Sequence, residues 1–296
     1  MVRSYKFSDR LVDTLIILVL TVLALSTLLP LVHIIAVSFS DKASVAGGQV
    51  TFFPIAPTLA AYQAVVDDKA FFRAFWVSIE RVVLGGALQF VLTIVTAYAL
   101  SRPLKEFRTR NIYMWVLVFT MIFNGGMIPL YLTIRDLHLM DTIWSLVLPG
   151  AVPVFNVIVL MNFFKGLPKE LDEAALMDGA GPWYKMFAIY VPLSLPSLAT
   201  VTLFSLVGHW NAFFDGLLYM NRPENYPLQT YLNQIIVQAS QPRSHLTPDQ
   251  IEQLAKLSDR TVNSAKIFVS LVPILLVYPF LQRYFVTGLT LGSVKE

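Results

Sequence analysis

Glu173 to Pro196 read EAALMDGAGPWYKMFAIYVPLSLP, a polar and turn-rich stretch lodged between two long apolar runs. Just before it, Pro168 suits a helix start, where a missing N–H loses no bond. Glu170, Asp172 and Glu173 then fall near the positive end of the helix dipole. Ala174 and Ala175 are small enough to let another surface come close. Asp178-Gly179 is turn chemistry, because glycine accepts positive φ. Gly181-Pro182 opens a second helix, to which Phe187, Ile189 and Tyr190 give apolar faces. Pro192 and Pro196 mark the return to the apolar run. The spacing predicts two short helices meeting at a glycine corner. The competing reading is an amphipathic loop that merely joins its neighbours. Such a linker has no need of an acidic first turn, an alanine pair, a glycine corner and paired prolines together.

Outward from this stretch, the chain is apolar. Of 296 residues, 56% are hydrophobic and 14% charged, against about 25% charged in soluble domains. A membrane helix needs about 20 mostly apolar residues. Six runs qualify, at about 14–36, 75–100, 112–134, 143–164, 197–220 and 263–281. The first is too long for a cleaved signal peptide and reads as an uncleaved anchor. Backbone groups cannot stay unpaired in hydrocarbon, so each run is expected to be helical. The fold class is therefore an all-α membrane protein with six transmembrane helices. Residues 1–296 are parsed as one membrane domain, with no fixed-period repeat and no low-complexity linker.

Basic residues set the orientation. Arg3, Lys6 and Arg10 precede the first run, and Arg102, Lys105, Arg108 and Arg110 follow the second. Those flanks are expected in the cytoplasm, with both termini and the loop at 165–196. Residues 40–74 and 221–262 are then outer loops. In the second of these, Thr247-Pro248-Asp249-Gln250 reads as a helix start, followed by an apolar stripe of Ile251, Leu254 and Leu257. Residues Pro227 to Gln238 read as another short helix. These pieces either pack on their own membrane domain or form a docking surface for an external partner.

The chemistry available to the chain is limited. There is no cysteine, and the net charge of +3 is too weak to argue for nucleic acid. The four histidines lie far apart, without metal-ligand spacing. No G-x-x-x-x-G-K-[ST] phosphate loop is present, so energy from ATP would have to come from a separate subunit. The carboxylates near Glu173 cluster at a helix start, where the dipole accounts for them, and no histidine or cysteine joins them. A membrane enzyme is therefore disfavoured. An ion-gradient carrier would need a mid-membrane series of ionisable groups, which is also missing.

Polar groups inside the runs are candidates for a solute path. In the fifth run, Gly208, Asn211 and Asp215 fall on one helical face, flanked by Trp210 and Phe213. Amides and carboxylates hydrogen-bond sugar hydroxyls, and aromatic faces cover sugar rings. An inter-helix hydrogen bond is the alternative reading. His209 is expected to point away from that stripe as a satisfied packing residue. Asn124-Gly125-Gly126 with Pro129 would break or bend the third run, either to line a path or only to aid packing. Pro149, Pro153 and Pro273 also suggest bent helices. Glu80 and Arg81 read as a pair, or as side chains reaching the outer surface.

The stretch as a whole resembles the "EAA" loop of binding-protein-dependent ABC importer permeases. It carries that family's pattern at Glu173, Ala174, Ala175, Asp178, Gly179, Ala180, Phe187, Pro192 and Pro196, between the fourth and fifth of six spans. Phe123 to Tyr131 (FNGGMIPLY) is similar to the third-span region of the carbohydrate importers, and Gln282 to Gly292 (QRYFVTGLTLG) to their C-terminal ending. The maltose-permease class is the large group it resembles, and the longer second outer loop is similar to subunits for acidic oligosaccharides such as alginate. The resemblance implies a type I ABC importer permease fold with a cytoplasmic coupling helix between spans four and five, in a bacterial inner membrane. It implies a second permease subunit (a different chain), two ATPase subunits gripping the loop, an external solute-binding protein and a carbohydrate substrate. ATP and Mg would be bound by the ATPases, with no cofactor in this chain. An importer of a non-sugar solute is the alternative.

Overall fold

The computed structural model describes residues 7–239 and 259–291, and all regular structure among them is helical. The chain divides into two compact units: residues 1–69 with 234–271, and residues 70–233 with 272–296. The expected helix start at Thr247, with the stripe of Ile251, Leu254 and Leu257, lies outside the described residues, as do Arg3 and Lys6.

The first unit begins with α1 (Phe7–Ser38), whose apolar residues from Leu11 to Val32 are exposed. The turn beyond it is built from local capping. Asp41 accepts from the N–H groups of Ala43 and Ser44 at 3.0 and 3.2 Å, which starts α2 (Lys42–Ala46). Ala36, Val37, Val45 and Val50 close a small core there. α3 (Ala60–Asp67) follows, and Asp68 at its end pairs with buried Lys266 at 2.6 Å. Lys266 belongs to α15 (Arg260–Leu291), which runs unbroken through Pro273 and Pro279.

The second unit is organised by α4 (Lys69–Ser101), which starts six residues before the apolar run that predicted it. The third run is broken into α5 (Arg110–Ile122) and α6 (Met127–Asp136), bent by 114°. Gly126 sits at φ +94°, and its N–H donates to the Asn124 side chain at 2.9 Å. The fourth run is not the single helix expected. A short α7 (Ile143–Val147) is separated by Pro149, Gly150 and Pro153 from α8 (Val154–Lys165). After α9 (Lys169–Met177), α10 (Pro182–Tyr184), a π-helical stretch at Lys185–Tyr190 and α11 (Val191–Leu193), the chain turns by 85° into α12 (Leu195–Asn211). The fifth run is also broken: α12 ends at Asn211, and α13 (Phe214–Tyr219) follows after Ala212 and Phe213. α14 spans Leu228–Ala239, close to the short helix expected there.

Among the described residues, three helices are long and apolar enough to cross a membrane, or five if each bent pair counts as one span. A main core of the second unit joins Ile94, Ala97, Tyr98 and Leu100 of α4 to Val157, Leu160, Met161 and Phe164 of α8. Met186, Tyr190 and Leu198 complete it. A smaller cluster joins Ile134, Leu146, Tyr219 and Met220.

Broken helices free carbonyl groups, which are costly if left unpaired in an apolar surrounding. Side chains take them up here. Gln89 of α4 donates to the Gly150 carbonyl at 2.7 Å, in the gap of the fourth run. Arg81 donates to the Ala212 carbonyl at 3.3 Å, and Thr230 to that of Phe213 at 2.8 Å, in the gap of the fifth. Polar side chains, two of them inside an apolar run, are thus what makes the breaks tolerable.

Candidate functional site

Two places in the second unit carry the polar chemistry: the corner after α9 and a cavity beside α12. At the corner, Gly179 has φ +71°, a conformation costly for residues with a Cβ. Its N–H donates to the Leu176 carbonyl at 3.0 Å, and the Ala180 N–H to that of Ala175 at 2.9 Å. This pair of bonds is the Schellman ending of a helix, and it explains why Asp178-Gly179-Ala180 stops α9. Glu173, Ala174 and Asp178 are exposed, while Ala175 is buried. Phe187 is exposed and its ring lies near-parallel to that of Trp183 at 6.3 Å. Leu176, Trp183, Tyr184 and Met177 are exposed with it, Met177 at 88%. The sequence reading named Phe187 but not this wider apolar surface. The adjacent short residues at polar-looking positions hid it. Pro192 lacks the N–H that Ala188 would use in an α-helix, and the wider π turn ends beside it. Pro196 sits in the first turn of α12.

Behind the corner lies a buried charge cluster. Arg102, just past the end of α4, donates to both oxygens of Asp172 at 3.0 Å. Its guanidinium lies 4.5 Å from the Tyr98 ring centre and 4.3 Å from that of Tyr190. The Tyr190 hydroxyl donates to Asp172, and Lys185 Nζ is 3.5 Å from the same carboxylate. Arg110 donates to the Arg102 carbonyl at 2.9 Å. Burial opposes ionisation of Asp172, but the Tyr190 hydroxyl and the Arg102 charge outweigh it and hold the carboxyl below its ordinary value.

The cavity, of about 400 Å³, is walled by parts of α4, α6, α7, α8, α12 and α13. Its polar lining includes Gln89, Ser145, Asn156, Ser205, His209 and the Arg81–Asp215 pair. Asn156 donates to the Val201 carbonyl and to Ser205 Oγ, each at 3.1 Å. α4 and α12 approach closely because Gly85 and Gly86 carry no side chain. A Cβ on Gly85 would fall 2.5 Å from the His209 ring, and one on Gly86 2.7 Å from Leu206.

The predicted polar stripe is rearranged by this geometry. Gly208 and Asp215 line the cavity, but the break at Ala212 and Phe213 removes the common helical face that was to join them with Asn211. Asn211 and Phe213 are exposed elsewhere, and Trp210 is buried edge-on against Phe75 at 5.6 Å. Asn124 is exposed and serves its own turn. His209 does not point away but lines the cavity. Arg81 neither pairs with Glu80 nor reaches a surface. It is 3% exposed, and its two terminal nitrogens meet the two oxygens of Asp215, one at 3.1 Å. Arg81, Gln89 and Asn156 were missed as site residues. Their signal was an isolated polar side chain in an apolar run.

The pattern of the binding-protein-dependent transport system inner membrane component matches residues 2–291. The chain belongs to that family. Its relatives include the polygalacturonan/rhamnogalacturonan transport system permease protein YtcP of Bacillus subtilis, 37% identical over 97% of this chain and 99% of that one. Protein LplC of the same organism is 40% identical over 97% of this chain and 96% of its own length. A solved bacterial ABC transporter involved in the import of the acidic polysaccharide alginate contains a chain that superposes with a TM-score of 0.85. That chain is 34% identical, with 95% of this chain and 99% of that one covered. As an inner membrane component of an ABC importer, this chain is a multi-pass transport subunit and not an enzyme. It works with partner permease, ATPase and binding-protein components.

Proposed function

We propose that this inner membrane component forms one half of the path for an oligosaccharide, delivered by an external binding protein and moved at the expense of ATP held by separate ATPase subunits. The observation that carries the coupling part is the exposed apolar corner of Leu176, Met177, Trp183, Tyr184 and Phe187 around Gly179, set directly on a buried charge cluster. An apolar patch on a short polar helix is a docking surface, and the matching family supplies ATPases as the partner. Glu173, Ala174, Ala175, Asp178 and Ala180 would shape the seat, with Pro192 and Pro196 fixing the return of the chain. ATP and Mg would lie in the ATPases. Both termini and this corner would face the cytoplasm, on the side favoured by Arg102, Lys105, Arg108 and Arg110.

The solute is read from relatives whose own names refer to polygalacturonan, rhamnogalacturonan and alginate, all acidic polysaccharides. The cavity beside α12 suits such a solute. Its volume fits one or two sugar rings, and amide, hydroxyl and imidazole groups line it. The second permease is proposed to be a different chain. The test is purification of the intact assembly in mild detergent, with mass analysis of every subunit. Hydrolysis is then measured with candidate oligosaccharides and the binding protein. Several-fold stimulation by a uronate oligosaccharide is expected. Stimulation by an amino acid or ion alone would overturn the sugar assignment, and an assembly with no ATPase would overturn the reading as a whole.

A further inference from the structure

We infer that Arg102 is the positioning residue that makes α9 and the end of α4 move as one body, so that force received at the corner reaches the second span first. The inference rests on the coupling role proposed above, and goes beyond it by naming the route.

Its basis is how few ways α9 has of gripping the rest of the chain. α9 offers one buried apolar residue, Ala175, and its remaining anchor is polar. Asp172 lies next in sequence to Glu173 and receives three donors from two directions. Arg102 comes from the end of α4, and Tyr190 and Lys185 come from the π-helical return. Arg102 is 7% exposed and Lys185 4%. A guanidinium carries donors on three nitrogens, and here all three are used. Nη1 alone reaches both oxygens of Asp172 at 3.0 Å, Nε and Nη2 reach Ser101 Oγ at 3.4 and 3.3 Å, and the group lies 4.5 and 4.3 Å from the Tyr98 and Tyr190 ring centres. Three nitrogens bonded to two different residues fix rotation as well as distance, which a lysine at the same place would not. Arg110 holds the Arg102 backbone from the start of α5. The joint therefore links α4, α9 and the π stretch through the Arg102 side chain, and α5 through the Arg102 carbonyl.

The chain contains no cysteine, so labels can be placed without background. Lys105→Cys and Lys169→Cys, both exposed in this chain, would carry spin labels in the full assembly. The distance between them is measured without nucleotide and with ATP trapped by vanadate. With Arg102 present, one narrow distance common to both states is expected. In Arg102→Lys, which keeps the charge, the distribution should broaden or shift between states, and solute moved per ATP hydrolysed should fall at least fivefold. Asp172→Asn should behave alike. The swap Arg102→Asp with Asp172→Arg should recover part of the ratio. Unchanged distances and an unchanged transport-to-hydrolysis ratio in Arg102→Lys would overturn the inference. A loss of transport only in proportion to lost assembly would also overturn it, since that is what a purely structural residue gives. If instead the unmutated assembly hydrolyses ATP without moving solute, the functional reading fails, not the joint.

Discussion

Arg81 of α4 and Asp215 at the start of α13 hold each other through both terminal nitrogens and both carboxylate oxygens. The same guanidinium also reaches the Ala212 carbonyl. One residue thus bridges the gap in the fifth run and neutralises the acid beyond it. Removing one member of a buried pair leaves the other charge uncompensated. Arg81→Gln and Asp215→Asn are each expected to lower stability by about 3 kcal/mol or more. Replacing both residues with apolar ones should cost less than the sum of the two single changes. Unfolding of the purified chain in mixed detergent would report this, and additive losses would count against a direct pair.

Glycines of the fourth and twelfth helices should respond in opposite ways. Gly85→Ala drives a methyl into the His209 ring, and overpacking of this kind costs about 1–3 kcal/mol. Gly208→Ala meets nothing within 4 Å and should be neutral or mildly stabilising, because alanine favours helix. Gly208 also borders the cavity. Gly208→Trp should therefore leave the chain inserted while lowering solute transport at least tenfold. Melting curves and transport rates on the same preparations separate the two effects.

Gly179 has open space around it, so its cost on substitution is conformational alone. An L-residue there costs about 1–2 kcal/mol, and asparagine less. Gly179→Leu should leave the protein in the membrane but uncouple transport from hydrolysis, with Gly179→Asn intermediate. The ratio of solute moved to ATP consumed is the reading that decides. A wild-type ratio in Gly179→Leu would remove the coupling role of the corner.

The charge cluster gives a defined acid response. Asp172 is held below its ordinary value in the folded chain. Its contribution to stability is therefore complete above the ordinary carboxylate value of about 3.9. It is lost as pH falls through the depressed value. Titration from pH 7 to 5 should leave the corner intact, and weakening should begin only below about pH 4. In Asp172→Asn that acid step should disappear from a pH series of fluorescence from Trp183, which lies close in sequence. Survival of the step in the variant would assign it to another group.

The apolar runs were readable because composition alone reports them, and the corner because Asp178-Gly179 and Gly181-Pro182 are local turn chemistry. The break between α7 and α8 had its prolines on view. The break at Ala212 and Phe213 had neither glycine nor proline at the gap. It depends on Arg81 and Thr230, which are distant in sequence, capturing the freed carbonyls. Arg81 was misplaced for a related reason. Counted from Phe75 it sits near the end of a run, but α4 begins at Lys69, which puts it twelve residues inside the helix. Gly208, Asn211 and Asp215 were assigned to one face by extending a helical period across the gap at Ala212 and Phe213. Periodicity holds only while the helix does.

The fold-back after Phe123 has a bearing on the lipid around the protein. The 13 residues of α5 rise about 20 Å, against hydrocarbon about 30 Å thick. With α6 turned by 114°, its length does not add to that rise. Beside this helix the bilayer has to thin, or a neighbouring chain has to fill the shortfall. A membrane of longer acyl chains should then strain this flank of the protein.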